Sequence, residues 1–143
     1  MPLSINTLLN NFSFLDEWED RYRYLIEIGR TLPALSEQEH NEETRVRGCA
    51  SQVWLVSSQE KQDEITHIRF RADSDAHIVR GLLALLLALY DDKTPQEILS
   101  TDAEAVFRKL GFSEHLSQQR SNGLKSILER IRFIAQECID KKH

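Results

Sequence analysis

The chain has few of the residues that would staple or decorate a small protein. Two cysteines, Cys49 and Cys138, stand among 143 residues. In a reducing compartment a structural disulfide between them is not expected. Two thiols also fall short of a four-ligand zinc site unless histidines join them at suitable spacing. The five histidines (His40, His67, His77, His115, His143) are scattered, with no HxxxH or HExxH pattern. No metal site is expected. Basic excess is missing too: 18 Lys and Arg face 23 Asp and Glu, a formal net charge of -5. Nucleic-acid binding draws on a basic footprint that neutralises phosphates, so no nucleic-acid partner is expected. An anionic membrane surface is equally unfavourable. The longest apolar run, residues 82–89, is too short to span a bilayer. The start lacks a positive region followed by a long apolar stretch, so the reading is a cytoplasmic protein with no secretory signal. No internal repeat or low-complexity tract appears.

What remains is an ordinary globular composition, 41% hydrophobic, at a length that suits one domain over residues 1–143. Helical spacing of Trp18, Tyr22, Leu25, Gly29 and Leu32 predicts a helix over 16–32, stopped by Pro33. Asp16 and Glu17 suit its N-terminus. Residues 34–47 are mostly polar and read as a long connecting loop that delivers the chain to Gly48 and Cys49. A strand over 52–57 follows, apolar on both faces at Val53-Trp54-Leu55-Val56 and so expected to be central in its sheet. A polar turn over 58–63 leads to a second strand over 64–72. There Ile68 and Phe70 alternate with His67, Arg69 and Arg71. The short link predicts an antiparallel hairpin.

Asp73-Ser74-Asp75 reads as an N-cap cluster. It opens a helix to about residue 90 that is apolar nearly all round and therefore central and buried. Gly81 inside that helix suggests close packing, since a helix glycine otherwise costs about 1 kcal/mol relative to alanine. Thr94-Pro95 opens a short helix. Another spans 103–110 and ends at Gly111. The last helix runs over 117–140, with Leu124, Leu128, Ile131, Ala135 and Cys138 on its buried face. The fold class is α+β, a small antiparallel β-sheet packed against several α-helices. No exposed apolar stripe stands out, so a monomer is the default.

The two cysteines read differently. Cys138 lies at helical spacing from Ile131, Ile134 and Ala135 and reads as a small buried hydrophobe. Cys49 follows a glycine, which permits an unusual backbone angle and close approach by another molecule. Arg45 and Arg47 would favour its thiolate if they point toward it, and the thiolate is the nucleophile of sulfur exchange. From this local context, a reactive thiol and a plain buried strand-entry residue are equally good readings. A cysteine hydrolase would want a histidine base and an orienting third group; His67 and His77 carry no such signature.

The stretch Gly48-Cys49-Ala50-Ser51-Gln52-Val53-Trp54 resembles the SufE family, the sulfur-acceptor partners of cysteine desulfurases. Further matches are Trp18-Glu19, Tyr22, Gly29 and Leu32-Pro33 upstream. Downstream they are Asp73-Ser74-Asp75-Ala76, Ile78-Val79, Gly81, Thr94-Pro95, Leu116, Arg120-Ser121 and Gly123-Leu124. The chain departs at Asn122, where glutamine is expected, and at Gln119, where serine is common. The SQVW form is closer to the Suf-type branch than to the Csd-type branch.

The resemblance implies a fold similar to SufE and IscU proteins. It implies a carrier that accepts persulfide sulfur on Cys49 from a cysteine desulfurase (SufS- or CsdA-like) and stimulates that enzyme. Sulfur then passes to an iron–sulfur scaffold such as SufBCD. The pyridoxal phosphate (PLP) sits on the partner desulfurase, and the chain itself needs no cofactor. Gly48 would act as a hinge, and Ser51 and Gln52 would support the loop, with the Gln52 side chain bonding its backbone. Asp75 and Arg120 would face the partner, although a plain cap is an equally good reading of Asp75. Trp54 reads as core. The alternative is a non-catalytic adaptor that regulates a desulfurase by docking alone.

Overall fold

The computed structural model describes residues 4–141. The first described helix is α1 (Ile5–Ser13), for which no helix was expected although Ile5, Leu8, Leu9 and Phe12 fall at i, i+3, i+4 and i+7. Its segment is rich in Asn, Thr and Ser, all mediocre helix formers. It forms because Ser4 caps it, its side chain accepting from the Thr7 amide, and because Leu8 and Phe12 are buried. The next helix, α2 (Trp18–Gly29), is shorter than the expected 16–32. Its exit tightens into bonds from Arg30 to Glu27, Thr31 to Ile28 and Leu32 to Gly29. The coming Pro33 disfavours helical geometry at the residue before it.

Residues 34–47 are a loop as expected, but an anchored one. Ser36 and Glu39 close a capping box on a single 3-10 turn (Glu37–Glu39). Glu39 pairs with Arg71 of the second strand. The Arg71 guanidinium holds the Glu39 carboxyl down to about 2. That anchor stays ionised until pH falls to about 2.

The two strands are β1 (Val53–Gln62) and β2 (Ile65–Ser74), antiparallel, with Gln62 opposite Ile65 and Val53 opposite Ser74. Both are longer than expected. The polar segment 58–63 belongs mostly to β1, and the turn is only Asp63-Glu64. Both turn residues have positive φ, 53° and 70°, the twist a two-residue hairpin demands. The outer half of β1 is exposed and held by pairing with β2, not by burial. Val53 and Leu55 face the core. On the other edge of β1, Val46 donates to Val53 and Leu55 donates to Thr44. The expectation of a central strand is corrected: the sheet has two strands, β1 and β2, and only a loop bridge at Arg45 flanks the other edge of β1. The double-sided apolar pattern of β1 reflects Trp54 and Val56, half-buried on the outer face. Thr66, Ile68, Phe70, Ala72 and Ser74 form the buried face of β2, the expected alternation.

The helix α3 (His77–Tyr90) is the buried centre of the molecule. Its N-cap is Ala76, which makes no side-chain cap bond. The expected Asp73-Ser74-Asp75 cap is corrected: Asp73 and Ser74 are the last residues of β2, paired with Trp54 and Val53. Gly81 does mark close packing. A Cβ there would overlap the Leu25 carbonyl and lie 2.7 Å from Leu25 Cγ. A Cβ on Gly29 would come within 2.7 Å of the Gly81 amide nitrogen. The backbones of α2 and α3 touch through these two glycines.

Thr94 and Glu97 form a capping box at α4 (Pro95–Ser100). The next helix is α5 (Ala103–Lys109), and Gly111 follows it with φ 84°. A short α6 (Phe112–His115) precedes α7 (Gln118–Asp140). Leu124, Leu128, Ile131, Ala135 and Cys138 are all buried on α7. One apolar cluster runs from Leu8 through α3 to Cys138. Among the described residues, no helix is long and apolar enough to cross a membrane.

Candidate functional site

Gly48 sets the geometry of the Cys49 loop. Its φ is 89°, in the left-handed region that favours glycine. A side chain there would also run into Ser126 of α7. Cys49 then turns toward α7, half-buried, with its Sγ 3.5 Å from the Gly123 carbonyl oxygen, to which the thiol donates. A cavity of ≈ 300 Å3 opens beside it. Val53 of β1, Val79 and Leu82 of α3, and Leu124 and Ile127 of α7 form its apolar wall. Ser117, Gln119 and Arg120 supply polar groups to the same lining.

Burial pushes the Cys49 thiol up from its ordinary range, and Arg45 pulls it down less strongly. The condition under which two arginines would favour the thiolate is met only in part. Arg47 is exposed and pairs with Glu42 at 2.9 Å. Arg45 has the expected sign but loses to desolvation.

Asp75 is tied to the loop. Its Oδ1 accepts from the Gln52 amide at 3.0 Å, and its own amide donates to the Gln52 carbonyl at 3.3 Å. Gln52 thus supports the loop through its backbone, not through the expected side-chain bond. Ser51 is half-buried and lines the cavity. Arg120 lines it too and donates to the Tyr22 hydroxyl at 3.1 Å, linking α7 to α2. Trp54 is not core. It is half-buried on the outer face of β1, with the His40 ring edge-on at 4.6 Å.

Asp75→Ala should remove one bond to the loop, about 1 kcal/mol. We expect Cys49 to react about fivefold faster with iodoacetamide in that variant, by the ratio that such an energy implies. An unchanged rate would show that Asp75 does not restrain the loop.

The same end of the sheet holds a second tether. His40 Nδ1 lies 2.8 Å from the Ser36 carbonyl oxygen and Nε2 lies 2.9 Å from Asp73. The Asp73 bond is the main force raising the His40 pKa above 6.5. A raised folded value means the stabilisation is whole below about pH 6.5 and fades as pH rises through the folded value. The melting-temperature gap between wild type and His40→Gln should therefore be larger at pH 5.5 than at pH 9. A gap independent of pH would contradict this.

The site residues that periodicity and local context do not find are those of α7 and α3. Gly123 stands 74 positions from Cys49. Its signal was the Gly123-Leu124 match to the family pattern. Among the described residues, no group of three His, Cys, Asp or Glu side chains is arranged to hold a metal ion.

Comparison with known proteins places this geometry. The chain is similar in structure to a Thermus thermophilus protein solved in solution, with TM-score 0.74 and 20% identity over 98% of each chain. At that identity the likeness concerns the fold. A SufE-like protein of Rhizobium etli is 52% identical over 129 residues, 90% of this chain and 87% of its own. One from Rhizobium meliloti is 49% identical over 133 residues, 93% of this chain and 95% of its own. The family description "SufE: Fe-S metabolism associated domain" matches residues 6–135. The chain belongs to the SufE family, non-catalytic sulfur acceptors that activate cysteine desulfurases in iron–sulfur cluster biogenesis.

Proposed function

We propose that Cys49 is the sulfur-accepting residue and that residues 1–143 act as one sulfur-acceptor domain. The observation that carries this is the position of the thiol: at the edge of a cavity with an apolar wall, on a loop entered through the left-handed Gly48. Cys138, the other free thiol, is buried on α7. In the reaction the Cys49 thiolate attacks the outer sulfur of the donor persulfide. A new S–S bond forms on Cys49, the donor S–S bond breaks, and the donor cysteine leaves as a thiolate.

The docked thiol is protonated at neutral pH and partly covered. Transfer thus calls for the loop to leave the cavity and reach the donor. Afterwards the same cavity shelters the persulfide from reductants and oxidants in bulk water. Gly48 is the hinge of this motion, and Ser51 and Gln52 move with it. Asp75, through Gln52, and Arg120, at the cavity, lie where a docking desulfurase would release the loop. Rim charges of this type set encounter and register more than affinity. The desulfurase is SufS- or CsdA-like, the next acceptor a scaffold such as SufBCD, the acting form a monomer and the compartment the cytoplasm.

Alkylation of Cys49 with and without the partner tests the motion. We expect faster labelling when a catalytically silent SufS-type desulfurase is added. Equal rates would contradict loop release.

A further inference from the structure

The seat of Cys49 on α7 depends on one residue without a side chain. An ideal Cβ built on Gly123 would lie 3.4 Å from Cys49 Sγ and 3.6 Å from both Cα and Cβ of Cys49. A methyl group just fits at those distances, and any larger side chain enters the space of the cysteine. The same residue offers its carbonyl oxygen to the thiol at 3.5 Å. Gly123 sits in the body of a 23-residue helix, five positions after its first residue. Nothing in helix geometry asks for glycine there, and glycine costs about 1 kcal/mol relative to alanine at such a position.

Resting on the assignment of Cys49 as acceptor, we infer that Gly123 is a positioning residue that seats the Cys49 thiol on α7. The carbonyl favours the protonated thiol because it accepts the thiol proton, whereas a thiolate would face the carbonyl oxygen's negative end. The surroundings agree. α3 presents Val79 and Leu82, and β1 presents Val53. Arg45 on the preceding loop segment and Arg120 on α7 are the nearby cations, and burial still outweighs Arg45. Leaving the seat therefore exposes the sulfur and eases its ionisation in one movement. The resting carrier is quiet toward chance electrophiles and becomes nucleophilic when a partner draws the loop out.

Gly123→Val tests this. Its two γ carbons extend from a Cβ that already lies 3.4 Å from Cys49 Sγ and so crowd the seat, while valine is no worse a helix former than glycine. We expect alkylation of Cys49 at pH 7.5 to rise at least about tenfold. The inflection of its rate–pH profile should also move down toward that of an ordinary thiol. Gly123→Ala should stay within about threefold of wild type, since its methyl remains in van der Waals contact. Cys138 should stay slow in both variants, which separates seat loss from general loosening. A folded Gly123→Val chain with the wild-type rate and profile would overturn the inference. If that variant fails to fold, the wild type decides: the Gly123 carbonyl carbon resonance should titrate together with Cys49 and be flat in Cys49→Ser. A Gly123 resonance flat in both would overturn it. None of these measurements uses a desulfurase. Failure here leaves sulfur acceptance on Cys49 standing, and failure of sulfur acceptance leaves the seat measured.

Discussion

Cys49→Ser is expected to lose all sulfur acceptance while keeping the fold. The hydroxyl cannot hold a persulfide, and at neutral pH it is not a nucleophile toward sulfur. The substitution is nearly isosteric. Cys49 is only half-buried, and its side chain makes a long bond to the Gly123 carbonyl, which a hydroxyl can also make. The melting temperature should stay within a few degrees of wild type, as for substitutions that leave packing intact. Cys138→Ala should transfer sulfur normally. It would lose some stability instead, because Cys138 packs in the core cluster. Stimulation of the desulfurase separates two kinds of protein. A carrier with serine at position 49 no longer relieves the enzyme of its persulfide, so stimulation falls to background. An adaptor that acts by docking alone would stimulate as before.

Gly81→Ala is expected to destabilise the chain by about 3 kcal/mol, the upper part of the range for overpacking a tight contact. The sign makes this prediction sharp. In an exposed helix interior the same change stabilises by about 1 kcal/mol. Here the new methyl would overlap the Leu25 carbonyl, and Leu25 Cγ and C lie within 2.7 and 2.8 Å. Neither is the end of a flexible side chain, so α2 and α3 would have to part. Gly29 sits at the same crossing and would meet the Gly81 backbone. Urea unfolding measures the effect directly. A midpoint at or above wild type would contradict the close crossing.

Those two residues also show what could be read from the chain alone. Close packing at Gly81 was legible because it interrupts a run of leucines, where glycine has no propensity reason to be; that the partner is Gly29 of α2 was not. The central helix, the last helix and the buried face of β2 were legible because each keeps its period over enough residues. The first helix was legible too but was not read: Ile5, Leu8, Leu9 and Phe12 keep the helical spacing behind the Ser4 cap, while the Asn, Thr and Ser between them are poor helix formers. It is held by the Ser4 cap and by Leu8 and Phe12 entering a core built by distant segments. The outer half of β1 was taken for a turn because its residues are polar. Strand pairing, which leaves no mark in hydrophobic alternation, extends it to Gln62.

The site divides along the same line. Cys49 and Gly48 stood out from local context, and the family resemblance gave them a role. The cavity was not legible, because its walls come from β1, α3 and α7. The sign of the thiol's pKa shift was not legible for a related reason. Two nearby arginines are visible in sequence, whereas burial is a property of the whole packing. Asp75 looked like a helix cap and is in fact a brace on Gln52, since β2 runs two residues further than its apolar pattern suggests.

The most direct test of the account is intact-mass spectrometry with peptide mapping, after the protein is mixed with a SufS-type cysteine desulfurase and L-cysteine. The account predicts added sulfur on the peptide carrying Cys49, none on the peptide carrying Cys138, and none when the desulfurase is left out. Sulfur absent from Cys49 with a competent partner present would contradict it and leave docking alone as the way this chain serves its enzyme.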